Sequence, residues 1–217
     1  MRISHKHKFV WISKPKTGST SVRKLLDRFS NVVSTDERPL HHHATADELR
    51  AAFAERGWNF DEYQVFICDR NPWELIGSVW KYSKFNQQRR PFWHPRYDAT
   101  LPLLSFGEFM RSPNVWRWVR EHHALDRFTG AQPWPANLHV YDIGAQGQQL
   151  VDDLSRHIGK PIGDLPVSNA SQYDAADLQA FADVFADPKV DAEVRKAFKT
   201  SIERFGYTNP FTSACPG

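Results

Sequence analysis

Two periods run along this chain, and together they assign most of its elements. Phe9 to Ser13, mostly apolar and bounded by Lys14 and Pro15, has the pattern of a short buried strand. A polar turn follows. Val22, Leu25, Leu26 and Phe29 then recur at helical spacing, so the turn opens directly into a helix. Val32-Val33 forms a short second strand, and Ser34 to Leu40 is loop. Thr45 with Glu48 three residues on is a capping-box pair, which predicts a helix from Ala46 to about Arg56 with Leu49 and Phe53 on its buried stripe. Gly57 ends it.

Tyr63 to Asp69 is a near-continuous apolar run, the signature of a strand buried on both faces in a parallel sheet. Asn71 as cap and Pro72 at the first helical position start a helix reaching about Phe85. Beyond a long insertion over 86–104, the pattern predicts helical segments at 106–111 and 114–124 and a third strand at Asn137 to Tyr141. Further helices follow over 148–158, 175–186 and 190–204. Strands alternating with helices imply an α/β fold, a central parallel β-sheet flanked by helices. In such sheets ligands bind beyond the carboxyl ends of the strands, so the Lys14–Ser21 turn and Arg70 are expected on one edge.

Composition narrows the class. At 217 residues the chain fits a single domain, residues 1–217, and its 41 % hydrophobic content is enough for a real core. A net charge of +3 is too small an excess to indicate nucleic acid as a partner. Its basic residues do crowd residues 1–28 and the segment Lys81 to Arg96, which an anionic ligand near both would explain, solvated surface being the default reading of either run. The 2 cysteines, Cys68 and Cys215, exclude a disulfide framework and a cysteine-based zinc site. No apolar run reaches the roughly 20 residues of a membrane helix, and no signal-peptide core precedes the first strand, so the expectation is a soluble, cytoplasmic protein.

The chemistry concentrates in the turn Lys14-Pro-Lys16-Thr-Gly18-Ser-Thr-Ser21. A strand, tight turn and helix start aim backbone N–H groups and the helix dipole at one point, which suits a phosphate or sulfate group. Lys16 adds a mobile charge and Thr17, Ser19, Thr20 and Ser21 add hydroxyls. The turn lacks the G-x-x-x-x-G-K-[ST] order of nucleotide-triphosphatase loops, since Lys16 precedes Gly18. Pro15-Lys-Thr-Gly-Ser-Thr-Ser21 resembles instead the 5′-phosphosulfate loop of sulfotransferases that use 3′-phosphoadenosine 5′-phosphosulfate (PAPS). It is most similar to the carbohydrate sulfotransferases of the heparan sulfate 2-O-sulfotransferase type and their bacterial relatives. Arg70-Asn-Pro-Trp-Glu resembles the same family's 3′-phosphate motif, with Ser78 eight residues after Arg70 as in those enzymes. The stretch His43-Ala-Thr-Ala-Asp-Glu-Leu49 and the close Glu203 to Tyr207 extend the resemblance, which is thin over 86–168.

The resemblance implies a P-loop-like sulfotransferase fold that moves a sulfuryl group from PAPS to an acceptor hydroxyl, on a carbohydrate, glycolipid or other glycoconjugate, without a metal. It assigns Pro15, Lys16, Thr17, Gly18, Ser19, Thr20, Ser21, Arg70 and Ser78 to the nucleotide, with Asn169-Ala-Ser171 beside it. Lys16 is also to stabilise the departing group. His43 is the base, with His41 as runner-up, and an ordinary histidine pKa of about 6.5 suits that role near neutrality. Two alternatives stay open: a kinase-like phosphotransferase using magnesium-ATP, and a non-catalytic protein that retains nucleotide binding. A metal site recruiting His122-His123 is weaker, because adjacent residues rarely converge on one ion. Arg89, Arg90, Trp93 and Arg96 suit a glycan but equally a solvated loop. Trp116 and Trp118 read as core and Glu74 as a helix-dipole partner.

Overall fold

A computed structural model of the protein describes residues 1–35, 37–86, 104–130, 132–166 and 172–211, with the side chains of 84–86 excepted. These residues belong to two compact units. The first comprises Met1–Arg70 and Leu125–Asn169, the second Asn71–Ala124 and Ala170–Gly217. The 86–104 insertion with Arg89, Arg90, Trp93 and Arg96 lies almost wholly outside the described residues, as do Asn169, Ser171 and Cys215.

The first unit holds the sheet, five strands in the order β3-β1-β2-β4-β5: β1 (Arg2–Ser4), β2 (Phe9–Ile12), β3 (Val32–Val33), β4 (Gln64–Asp69) and β5 (Leu138–Asp142). β2 pairs with β4, and β4 with β5, in parallel, as the apolar runs predict. The other half corrects that expectation. β1 pairs antiparallel with both β2 and β3, so the sheet is mixed. Three residues with a single apolar position between Arg2 and Ser4 carry no readable period, which is why β1 escaped the sequence pattern.

Alternation sorts the strand residues to two buried faces. Phe9, Trp11, Phe66, Cys68 and Tyr141 pack against Val22 and Leu26 of α1 (Ser19–Leu26) and Leu150, Leu154 and Ile158 of α7 (Gly147–Ile158). Val10, Ile12, Val65, Ile67 and Val140 point the other way and are buried too. α2 (Ala46–Glu55) begins on the predicted capping box, and its Phe53 meets Trp58, Phe60 and Tyr63 edge to face at 5.0–5.3 Å between centroids. A short helix that the sequence pattern did not predict, α6 (Leu125–Thr129), packs against α2.

The second unit is helical: α3 (Pro72–Asn86), α4 (Phe106–Arg111), α5 (Pro113–His123), α8 (Ala175–Phe185), α9 (Pro188–Ala197) and α10 (Lys199–Phe205). Its core is aromatic, built on Trp73, Trp80, Phe106, Phe109, Phe181 and Phe185. Two of its buried indoles keep a polar partner: Trp73 Nε1 donates to Asp191 Oδ1 at 3.0 Å and Trp80 Nε1 to the Leu104 carbonyl at 3.1 Å. A Cβ at Gly77 would meet the Phe181 ring at 3.1 Å, so glycine allows α3 and α8 their close approach. Trp118 is core and Trp116 packs against it. The helix expected over 190–204 is two, because Phe198 leaves helical geometry at φ −118° and ψ 28°. Among the described residues no helix is long and apolar enough to cross a membrane.

Candidate functional site

The site grows from the carboxyl end of β2. After Ile12 the chain turns through Pro15–Gly18 and enters α1. Lys16 has φ +64° and Gly18 φ +70°. Left-handed backbone at Gly18 is natural for glycine, whereas at a lysine it is uncommon and concentrates at functional turns. A Cβ on Gly18 would sit 2.9 Å from Ile143 Cγ1, so the residue after β5 closes on the turn and requires glycine there.

Gly18 is also the N-cap of α1, and it has no side chain to cap with. Ser21 N–H and Val22 N–H both donate to the Gly18 carbonyl, at 3.0 and 3.3 Å. The N–H groups of Thr17, Gly18, Ser19 and Thr20 donate to nothing among the described residues. Every helix leaves its first N–H groups without an intrahelical partner, and here four consecutive ones stay open at the positive end, an arrangement that suits an anion. The Thr17 hydroxyl serves the turn itself, donating to the Lys14 carbonyl at 3.0 Å, and Thr20 Oγ1 accepts from Arg23 Nη2 at 3.3 Å.

Two cations attend this place. Burial, and then the Arg70 guanidinium, lower the Lys16 ammonium to about 8. Arg70 follows the last residue of β4, so two parallel strands deliver Lys16 and Arg70 to the same neighbourhood. Ser78 belongs to the second unit, where it is buried on α3.

Behind the turn stands a pair that the sequence pattern did not reveal. Lys14 Nζ donates to Asp69 Oδ1 at 2.8 Å with both side chains fully buried. β2–β4 register matches Ile12 with Ile67, so two residues further Lys14 stands opposite Asp69. Equivalent positions at the ends of two parallel strands were the available signal. Removing one partner of such a pair leaves a buried charge and costs about 3–5 kcal/mol.

His43 reaches the same strand end. Its Nδ1 donates to the Ser13 carbonyl at 2.7 Å, which leaves Nε2 with the lone pair. Burial pulls its pKa down to about 4; the Ser13 bond opposes this, and Arg23 and His42 add to it. The ring is therefore neutral at physiological pH, well below the ordinary value expected from sequence. His41 serves the fold instead, its Nε2 meeting Glu48 Oε2 at 3.2 Å and so joining the capping box of α2. His42 Nδ1 accepts from Arg23 Nη1 and Ser34 Oγ, each at 2.6 Å. In the second unit His122 Nδ1 donates to the Trp118 carbonyl at 2.9 Å.

Compared with models of known families, with curated proteins and with solved structures, the chain matches none. The chemistry therefore stands on the geometry: open amides, two cations and a neutral imidazole with a free Nε2, all gathered at adjoining strand ends.

Proposed function

We propose that the protein is a PAPS-dependent sulfotransferase, acting on a hydroxyl of a carbohydrate or glycoconjugate. The observation that carries the reading is that one strand end serves two functions. Ile12 leads into a loop with four open amides, and the next residue, Ser13, fixes His43 in the tautomer that a base requires. The donor set fits the proposed co-substrate. Amides and an ammonium match the oxygens of a phosphosulfate, and an arginine fork matches a phosphate monoester.

Within this reading, the amides of Thr17 to Thr20 and the Lys16 ammonium hold the 5′-phosphosulfate, and Arg70 holds the 3′-phosphate. PAPS supplies the sulfuryl group and departs as 3′-phosphoadenosine 5′-phosphate. His43 Nε2 takes the proton of the acceptor hydroxyl as its oxygen forms the new S–O bond. Lys16 neutralises charge on the oxygen that gives up the sulfuryl group. Positioning and charge stabilisation dominate such transfers, and the loop provides both.

The test is calorimetric titration of 3′-phosphoadenosine 5′-phosphate, beside magnesium-ATP, on wild type and Arg70→Ala. The expected result is tight binding of the 3′-phosphorylated nucleotide that weakens about 10–100-fold in Arg70→Ala. A preference for magnesium-ATP, or indifference to Arg70, sinks the reading and brings the phosphotransferase forward.

A further inference from the structure

The strand end beside the anion loop carries a carboxylate where one is least welcome. Asp69 immediately precedes Arg70, and a free carboxylate there would compete with any incoming anion for Arg70 and Lys16. It does not do so. Its side chain has one partner among the described residues, Lys14 Nζ at 2.8 Å on Oδ1, while Oδ2 is buried without a hydrogen bond. Both side chains are 0 % exposed, so water does not screen the pair. The Asp69 carbonyl is fixed as well, accepting from Ile143 N–H at 3.0 Å.

We propose that Lys14 is an internal counter-ion that sequesters Asp69, so that this carboxylate does not offset the positive field of Lys16 and Arg70 that an incoming anion meets. A lone carboxylate acts at long range, but a carboxylate and an ammonium in direct contact act as a compact dipole whose field falls away much faster. Lys14 and Asp69 are thus positioning residues: they touch no ligand, and they act through the two cations beside them in sequence. The inference rests on the anion-binding reading of the loop and is independent of which anion binds. The competing explanation is a strut, in which the contact merely holds two strand ends together.

The two explanations part in a double-mutant cycle with Lys14→Met, Asp69→Leu and the double variant. One measurement is the titration of Lys16 by competitive labelling with acetic anhydride, resolved by peptide mass spectrometry, which needs no ligand. The other is affinity for 3′-phosphoadenosine 5′-phosphate. In Lys14→Met the released carboxylate should move the Lys16 titration upward from about 8 and weaken the nucleotide by about tenfold. The double variant removes both charges, and apolar replacement of a buried pair is tolerated, so both measurements should return to within about twofold of wild type. A double variant as weak as Lys14→Met, or a Lys16 titration unmoved in Lys14→Met, overturns the proposal in favour of the strut.

If Lys14→Met fails to fold, the double variant decides: wild-type affinity supports sequestration, and a tenfold loss in a folded double variant refutes it. Failure of both to fold also refutes it. If wild type does not bind the nucleotide, the sulfotransferase reading falls, while the Lys16 titration still decides this one.

Discussion

Two helices of the sheet-bearing unit begin near His43, and they handle their positive ends in opposite ways. α2 closes its own. Thr45 Oγ1 accepts from Glu48 N–H at 3.2 Å, Glu48 Oε2 accepts from Thr45 N–H at 2.9 Å, and Asp47 and Glu48 set negative charge on the first turn. α1 starts on Gly18, has no acid in its first turn and leaves its amides open beside Lys16. A strand–turn–helix junction is therefore not in itself an anion site. The candidate is the junction where the N-cap withholds the side chain that would satisfy the helix and a cation is added.

The largest effects should come from the chemistry that only the α1 end supports. On the proposed sulfotransferase reading, Lys16→Ala and His43→Ala are each expected to lower sulfuryl transfer by about 10²–10⁴-fold while changing nucleotide affinity far less, read from steady-state rates beside calorimetry. The pH profile sharpens the assignment. The acid limb should fall near 4, where His43 gains its proton, and the alkaline limb of kcat/KM near 8, where Lys16 loses its own. An acid limb at the ordinary histidine value would remove His43 from the role. Stability follows the same group. His43 binds its proton at about 4 folded and about 6.5 unfolded, so between these values the unfolded chain holds more protons. Stability should rise with pH through that window and level off above it, by at most about 3 kcal/mol.

A smaller effect separates shape from charge. Gly18→Ala meets both a left-handed backbone and Ile143, and should cost about 1–3 kcal/mol in denaturant unfolding and weaken the nucleotide. Gly57→Ala has the same backbone sign, φ +67°, with nothing within 4 Å, and should show only the conformational part and no binding change. Equal losses at the two glycines would remove the special closeness claimed for Gly18.

The smallest effect is the control at α2. Thr45→Ala should lose about 1 kcal/mol of stability and leave nucleotide affinity where it was. An affinity change there would mean that the two helix ends are not independent.

Much of this was legible in the chain because it is local. The apolar runs of β2 and β4, the capping box at Thr45, the Asn71-Pro72 start of α3 and the turn at Gly18 are each written within a few residues. The break at Phe198 and the helix at Leu125–Thr129 were not legible, since a one-residue departure and a single turn leave no period to read.

The sequence alone determined most of the strand and helix segments and marked the Lys14–Ser21 turn as the candidate anion site, because propensity, capping and turn chemistry act over neighbouring residues. Only the tertiary structure decided the rest. It set β1 antiparallel to both its neighbours, placed Lys14 against Asp69 across 55 residues, and laid His43 on the Ser13 carbonyl across 30. Ion pairing, burial and the proton affinity of a buried ring depend on what lies nearby in space, and a linear pattern carries no record of that.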